Sequence, residues 1–122
     1  MPTVTVGDRR FEVAAGTRLV RALEDNGIDI LHRCGGYARC TTCRVVFKSG
    51  EPEQMTEAEH KRLRDDEEDL LGKVRLSCQI VVDRDMVVEP VWRLSTSDYD
   101  NAGKRPEEQV TPEPVYMDRP YG

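Results

Sequence analysis

At 122 residues, 38% apolar and with nine glycines, the chain has the size and composition of one globular domain. It has no run of roughly eighteen apolar residues to span a membrane. The net charge of −5 is uneven: residues 51 to 73 hold nine acids against four bases, and the rest balances at fourteen against fourteen. That distribution disfavours nucleic-acid binding, which needs clustered Lys and Arg for phosphate.

From the N-terminus, Val4 and Val6, then Phe11 and Val13, alternate around Gly7-Asp8, which predicts a hairpin. The first residues lack the basic-then-apolar pattern of a secretory leader, so a cytoplasmic, reducing home is expected. A helix should open at Gly16-Thr17 with Thr17 as N-cap, carry Leu19, Val20 and Leu23 as its apolar stripe, and end at Asn26-Gly27. Arg18, Arg21, Glu24 and Asp25 read as its solvated face.

Ile28, Ile30 and Leu31 lead into the loop Cys34-Gly35-Gly36-Tyr37-Ala38-Arg39-Cys40-Thr41-Thr42-Cys43. Val45 to Phe47 reads as a strand closed by Ser49-Gly50. Thr56-Glu57-Ala58-Glu59 reads as a capping box opening a short helix through Leu63. Five acids follow, Asp65, Asp66, Glu67, Glu68 and Asp69. Arg75 to Val82 is expected as a strand carrying Cys78, and Met86 to Glu89 as another beyond the turn at Asp83-Arg84-Asp85. The domain is expected over residues 1–91. Residues 92–122 hold four of the seven prolines and read as a Pro-rich extension, extended or partly disordered, although Trp92, Tyr99, Val115, Tyr116 and Tyr121 add apolar surface.

Cys34, Cys40, Cys43 and Cys78 are all the cysteines of the chain, spaced C-x5-C-x2-C with the fourth after 34 intervening residues. Three thiolates on one tight loop and one remote thiolate match the ligand pattern of a [2Fe–2S] cluster, with one residue more in the first gap than the plant-type spacing. Such a loop must curl around its cluster, and Gly35 and Gly36 permit the backbone angles this needs. Arg39 offers positive charge, and Thr41 and Thr42 offer hydroxyl donors. The competing readings fit less well. Structural zinc pairs two short knuckles, and here Cys40 and Cys43 form the single one. A redox-active C-x-x-C wants a helix start after it, yet Arg44-Val45-Val46-Phe47 is a strand signal. Two disulfides would suit a secreted protein. A Rieske-type site needs two histidines, and His32 and His60 lie far apart in sequence while four cysteines are already present.

These residues, with Ala38-Arg39-Cys40-Thr41-Thr42-Cys43-Arg44 and Arg75-Leu76-Ser77-Cys78-Gln79-Ile80, resemble the [2Fe–2S] ferredoxin family, its adrenodoxin-like branch more than the photosynthetic one. The likeness covers roughly residues 2 to 90. It implies an α+β, β-grasp (ubiquitin-like) ferredoxin fold and a soluble, monomeric one-electron carrier that is not itself an enzyme. It also implies a flavin-containing NAD(P)H-dependent ferredoxin reductase as donor, and an oxygenase, a cytochrome P450 or an Fe–S assembly system as acceptor. All-cysteine ligation points to a low potential, on the order of −400 mV. Asp65 to Asp69 read either as solvated surface or as a docking patch that speeds encounter with a basic partner. A second reading makes the chain a dedicated Fe–S regulatory or sensor protein bound to one partner.

Overall fold

The computed structural model describes residues 1–39 and 41–121. Strands β1 (Thr3–Val6) and β2 (Arg9–Glu12) form the expected hairpin, with Val6 opposite Arg9 and a two-residue turn at Gly7-Asp8 in which Gly7 has φ +60°. Val4 and Val6 point into the core from alternate positions, which is why the sequence alternates there. Helix α1 (Leu19–Asp25) buries Leu19, Val20, Ala22 and Leu23. It starts one residue later than expected. The Thr17 carbonyl accepts from Val82 N and Arg18 forms a bridge with Val81, so the chain is still extended at residue 18, and Arg18 occupies the N-cap without a side-chain cap bond. The helix ends at Asn26, and Gly27 follows at φ +75°, as the sequence suggests.

Strand β3 (Arg44–Ser49), β4 (Gln54–Thr56), helix α2 (Glu57–Arg64), β5 (Arg75–Leu76), β6 (Met86–Pro90) and β7 (Tyr116–Asp118) complete the chain. The main sheet runs β2-β1-β6-β3-β5; β1 and β6 are parallel, and the other neighbours are antiparallel. Val4, Leu19, Leu23, Val45, Ile80, Met86 and Val88 form its core against α1, each worth about 1.5–3 kcal/mol when fully buried. This mixed sheet with one covering helix is the α+β, β-grasp arrangement.

Two local expectations are corrected. Residues 75–82 do not form one strand: β5 stops at Leu76, and Ser77–Gln79 is a 3-10 turn. Ser77 N and Ser77 Oγ both donate to the Cys43 carbonyl, at 3.2 and 2.7 Å, which bends the chain out of the ladder at Cys78. The capping box is half formed. Glu59 N donates to Thr56 Oγ1 at 3.1 Å, but the Glu59 carboxylate, fully buried, serves Arg75 and Leu76 N instead of reaching back.

Residues 92–121 lie against the domain in largely irregular, extended form. Asp29 accepts from Leu94 N at 2.8 Å, His32 N donates to Ala102 O at 2.9 Å, and β7 pairs antiparallel with β4. Between these anchors, residues 104–111 run beside the cysteine loop.

Candidate metal centre

Sheet pairing is what brings the remote cysteine home. In the antiparallel β3/β5 pair Arg44 faces Leu76, so Cys43, just before β3, comes opposite Ser77, just after β5. The bonds from Ser77 to the Cys43 carbonyl lock this junction, and Cys78 follows on the turn. The Cys43 thiol hydrogen-bonds the Cys78 sulfur, and the Cys34 sulfur lies near enough to act on Cys78 and on Arg18. Cys43 and Cys78 thus meet in one site with Cys34 near it; the fourth predicted ligand, Cys40, lies outside the described residues.

The loop takes the backbone shape anticipated for it. Gly35, Gly36 and Ala38 have φ of +70°, +90° and +58°, three left-handed residues within four. Gly36 is required on a second count: a Cβ there would stand 2.5 Å from Arg18 Nη2 and 2.9 Å from Pro106 Cβ. Thr42 Oγ1 accepts from Arg33 N at 3.0 Å, and Thr41 binds Arg44 through its carbonyl, at 3.0 Å, and its hydroxyl, so both threonines brace the loop.

Cys43 and Cys78 are sealed from water in an apolar cluster with Val20, Ala38, Leu63, Leu70, Val74 and Leu76, separate from the main core. Gln79, also buried, donates Nε2 to Cys78 Sγ at 3.6 Å and to Thr111 O at 2.7 Å, while its Oε1 accepts from Thr56 Oγ1 at 2.8 Å. The Cys78 thiol is held below its ordinary range by the bond from Cys43, then by Gln79 and Arg18, against the opposing effect of burial. These contacts stabilise the thiolate form against the burial that opposes it.

A family model described as "2Fe-2S iron-sulfur cluster binding domain" matches residues 4–83. The chain belongs to this family. A 2Fe-2S ferredoxin of Haemophilus influenzae is 37% identical over 93 residues, covering 69% of this chain and 77% of that protein. One component of the Na(+)-translocating NADH-quinone reductase of Neisseria meningitidis is 40% identical over 84 residues, 68% of this chain. The chain spans about a fifth (20%) of that component's length. Among solved structures, the ISC-like [2Fe-2S] ferredoxin of Pseudomonas putida superposes with a TM-score of 0.61 at 28% identity, covering 80% of this chain and 99% of that one.

This ferredoxin-type domain carries a [2Fe–2S] cluster, and the described donors suit it: buried sulfur, one atom already receiving an amide N–H, in a loop shaped to curl. The acids spread over one turn beside the loop. Asp65 ends α2 and is exposed, as are Glu67, Glu68 and Asp69. Asp66 is tied down, 3.3 Å from Arg62 Nη2 and accepting from Glu68 N; Arg62 Nε in turn donates to Arg39 O at 3.1 Å. Glu68 lies 3.9 Å from Arg44. His32 is buried, its Nε2 3.0 Å from Glu24 Oε2.

Arg18 is the residue that sequence reasoning misplaced. It is not on a solvated face but fully buried against the loop. One signal was present: a cation at the first position of a helix opposes the helix dipole, so it needs another reason to be there.

Proposed function

We propose that the chain is a one-electron carrier whose cluster is held by Cys34, Cys40, Cys43 and Cys78. The observation that carries the ligand set is the meeting of Cys43 and Cys78 at the β3/β5 junction inside an apolar wall, with the Cys34 sulfur near enough to act on Cys78. When bound, the cluster supplies reversible one-electron oxidation and reduction. The residues around it do the rest. The cysteines fix it, the Gln79 amide donates to a ligand sulfur, and Leu63, Leu70, Val74 and Leu76 exclude water. Exposed Arg39 and half-buried Tyr37, 5.7 Å from guanidinium carbon to ring centre, mark the rim toward a partner. The protein forms and breaks no substrate bond and works as a carrier, not an enzyme. Anaerobically purified chain should contain about two irons and two acid-labile sulfides. Cys78→Ser should lose most of both; unchanged iron and sulfide in that variant would remove Cys78 from the ligand set.

The donor is a flavin-containing NAD(P)H reductase, a reading supported by the similar segment within an NADH-quinone reductase component. The acceptor is an oxygenase, a cytochrome P450 or an Fe–S assembly system, and the setting is a monomer in the cytoplasm. The unit that carries the cluster is residues 1–91, with 92–122 as its extension. Asp65, Glu67, Glu68 and Asp69, exposed beside the loop, offer a docking face to a basic partner, with Asp66 holding their turn together. Asp65→Lys with Glu67→Lys should slow reduction by the reductase several-fold at low salt and flatten its salt dependence. Unchanged rates at every salt concentration would reduce the patch to ordinary surface.

A further inference from the structure

Arg18 is enclosed by neutral acceptors. Its Nε donates to Cys78 O at 2.6 Å, one Nη2 hydrogen to Gly36 O, and Nη1 to Glu107 O and Gln109 O at 2.9 and 3.1 Å; Thr111 Oγ1 lies 3.2 Å from Nη2. Among the described residues no carboxylate forms an ion pair with it, and it is 0% exposed. A guanidinium stripped of water is costly unless an anion compensates it. The negative groups that act on it are the sulfurs of Cys78, Cys43 and Cys34. With four thiolates, two ferric irons and two sulfides, the oxidised cluster carries about −2, and the reduced one a charge more.

We propose that Arg18 is the internal counter-charge of the cluster and raises its reduction potential, holding that charge in place through carbonyls of the loop, of the Cys78 turn and of the C-terminal extension. This rests on the ligand set proposed above. A fixed cation favours the state with the extra electron more than the state without it. In a water-excluded site that preference is screened little by salt. The backbone acceptors give the guanidinium orientation without cancelling its charge, which a carboxylate would do. The extension therefore has a definite role, because Glu107, Gln109 and Thr111 close the side of the cradle that the domain leaves open. Arg18 is a tuning residue that meets Cys78 at both its carbonyl and its sulfur.

The test uses the full chain, loaded with cluster to equal iron and sulfide content, as wild type, Arg18→Gln and Arg18→Lys, titrated spectroelectrochemically at low and high salt. Arg18→Gln should lower the reduced-to-oxidised ratio at a fixed potential about tenfold, which for one electron corresponds to about 59 mV. Arg18→Lys, which keeps a charge but not the fork, should stay within about threefold of wild type. Neither difference should shrink at high salt. A loaded Arg18→Gln within threefold of wild type overturns the proposal, and so does an Arg18→Lys that falls as far as Arg18→Gln. Should Arg18→Gln take up no cluster, Arg18→Lys decides by the same limit; failure of both to load assigns Arg18 to folding and overturns the proposal. Wild type without iron or sulfide would sink the ligand set instead, before any variant is compared.

Discussion

Two arginines are buried on either side of Cys78, and they are neutralised in opposite ways. Arg75 meets Glu59 in a two-pronged pair, Nε to Oε2 at 2.8 Å and Nη2 to Oε1 at 3.1 Å, with Glu51 and the carbonyls of Pro52 and Gln54 completing its shell. Arg18, equally enclosed, meets carbonyls and a hydroxyl. The first is a closed structural pair whose charges cancel within the chain. The second leaves a net positive charge directed at the cysteines. The difference separates a charge used to fasten α2 to the sheet from a charge left available to a bound anion.

The largest effect comes from breaking the closed pair. Glu59→Ala removes the fully buried partner of Arg75, leaving the half-buried Glu51 as its carboxylate, and should cost about 3 kcal/mol, read by denaturant unfolding, with a similar loss whether or not the cluster is loaded. A loss confined to loaded protein would show that the two arginines do not differ as described. A smaller effect is expected at the thread joining the two regions. Thr56 Oγ1 caps α2 beside Glu59 and donates to Gln79, which touches Cys78 and the extension. Thr56→Ala should therefore cost about 1–2 kcal/mol and leave Gln79 less ordered, seen as faster exchange of its side-chain amide.

The smallest effect lies where neither arginine reaches. The Ser95 hydroxyl, assisted by the amides of Ser95 and Leu94, holds the Asp29 carboxyl below the usual carboxylate range. A lowered folded pKa means the contribution is complete above about pH 3.9 and is lost as pH falls through the folded value. Protection of the Leu94 amide should thus exceed that in Asp29→Asn by a constant margin from neutral pH to about pH 4, narrowing below. A margin that changes near neutrality would count against it.

The hairpin, α1 and the cysteine loop were legible because short-range signals decide them: Val4 and Val6 alternate, Leu19, Val20 and Leu23 form a stripe, and glycines sit where φ turns positive. The β4/β7 pair was not legible. Each strand is three residues long, and the partners Thr56 and Tyr116 stand sixty residues apart, too little local pattern to announce a ladder. The break after Leu76 depends on a carbonyl at Cys43, which no window around Cys78 contains. Arg18 reads as solvated by the rule that charges face water and Glu59 as the returning half of a capping box, and both are exceptions that only their distant partners explain. The acids at 65–69 were visible as a run, but not the division of labour in which Asp66 shapes the turn and its neighbours stay exposed.

Because residues 104–118 leave the ribosome after every cysteine, the polypeptide can present an uncovered ligand loop while it is still being made. The segment bearing Glu107, Gln109 and Thr111 arrives later and shuts over it.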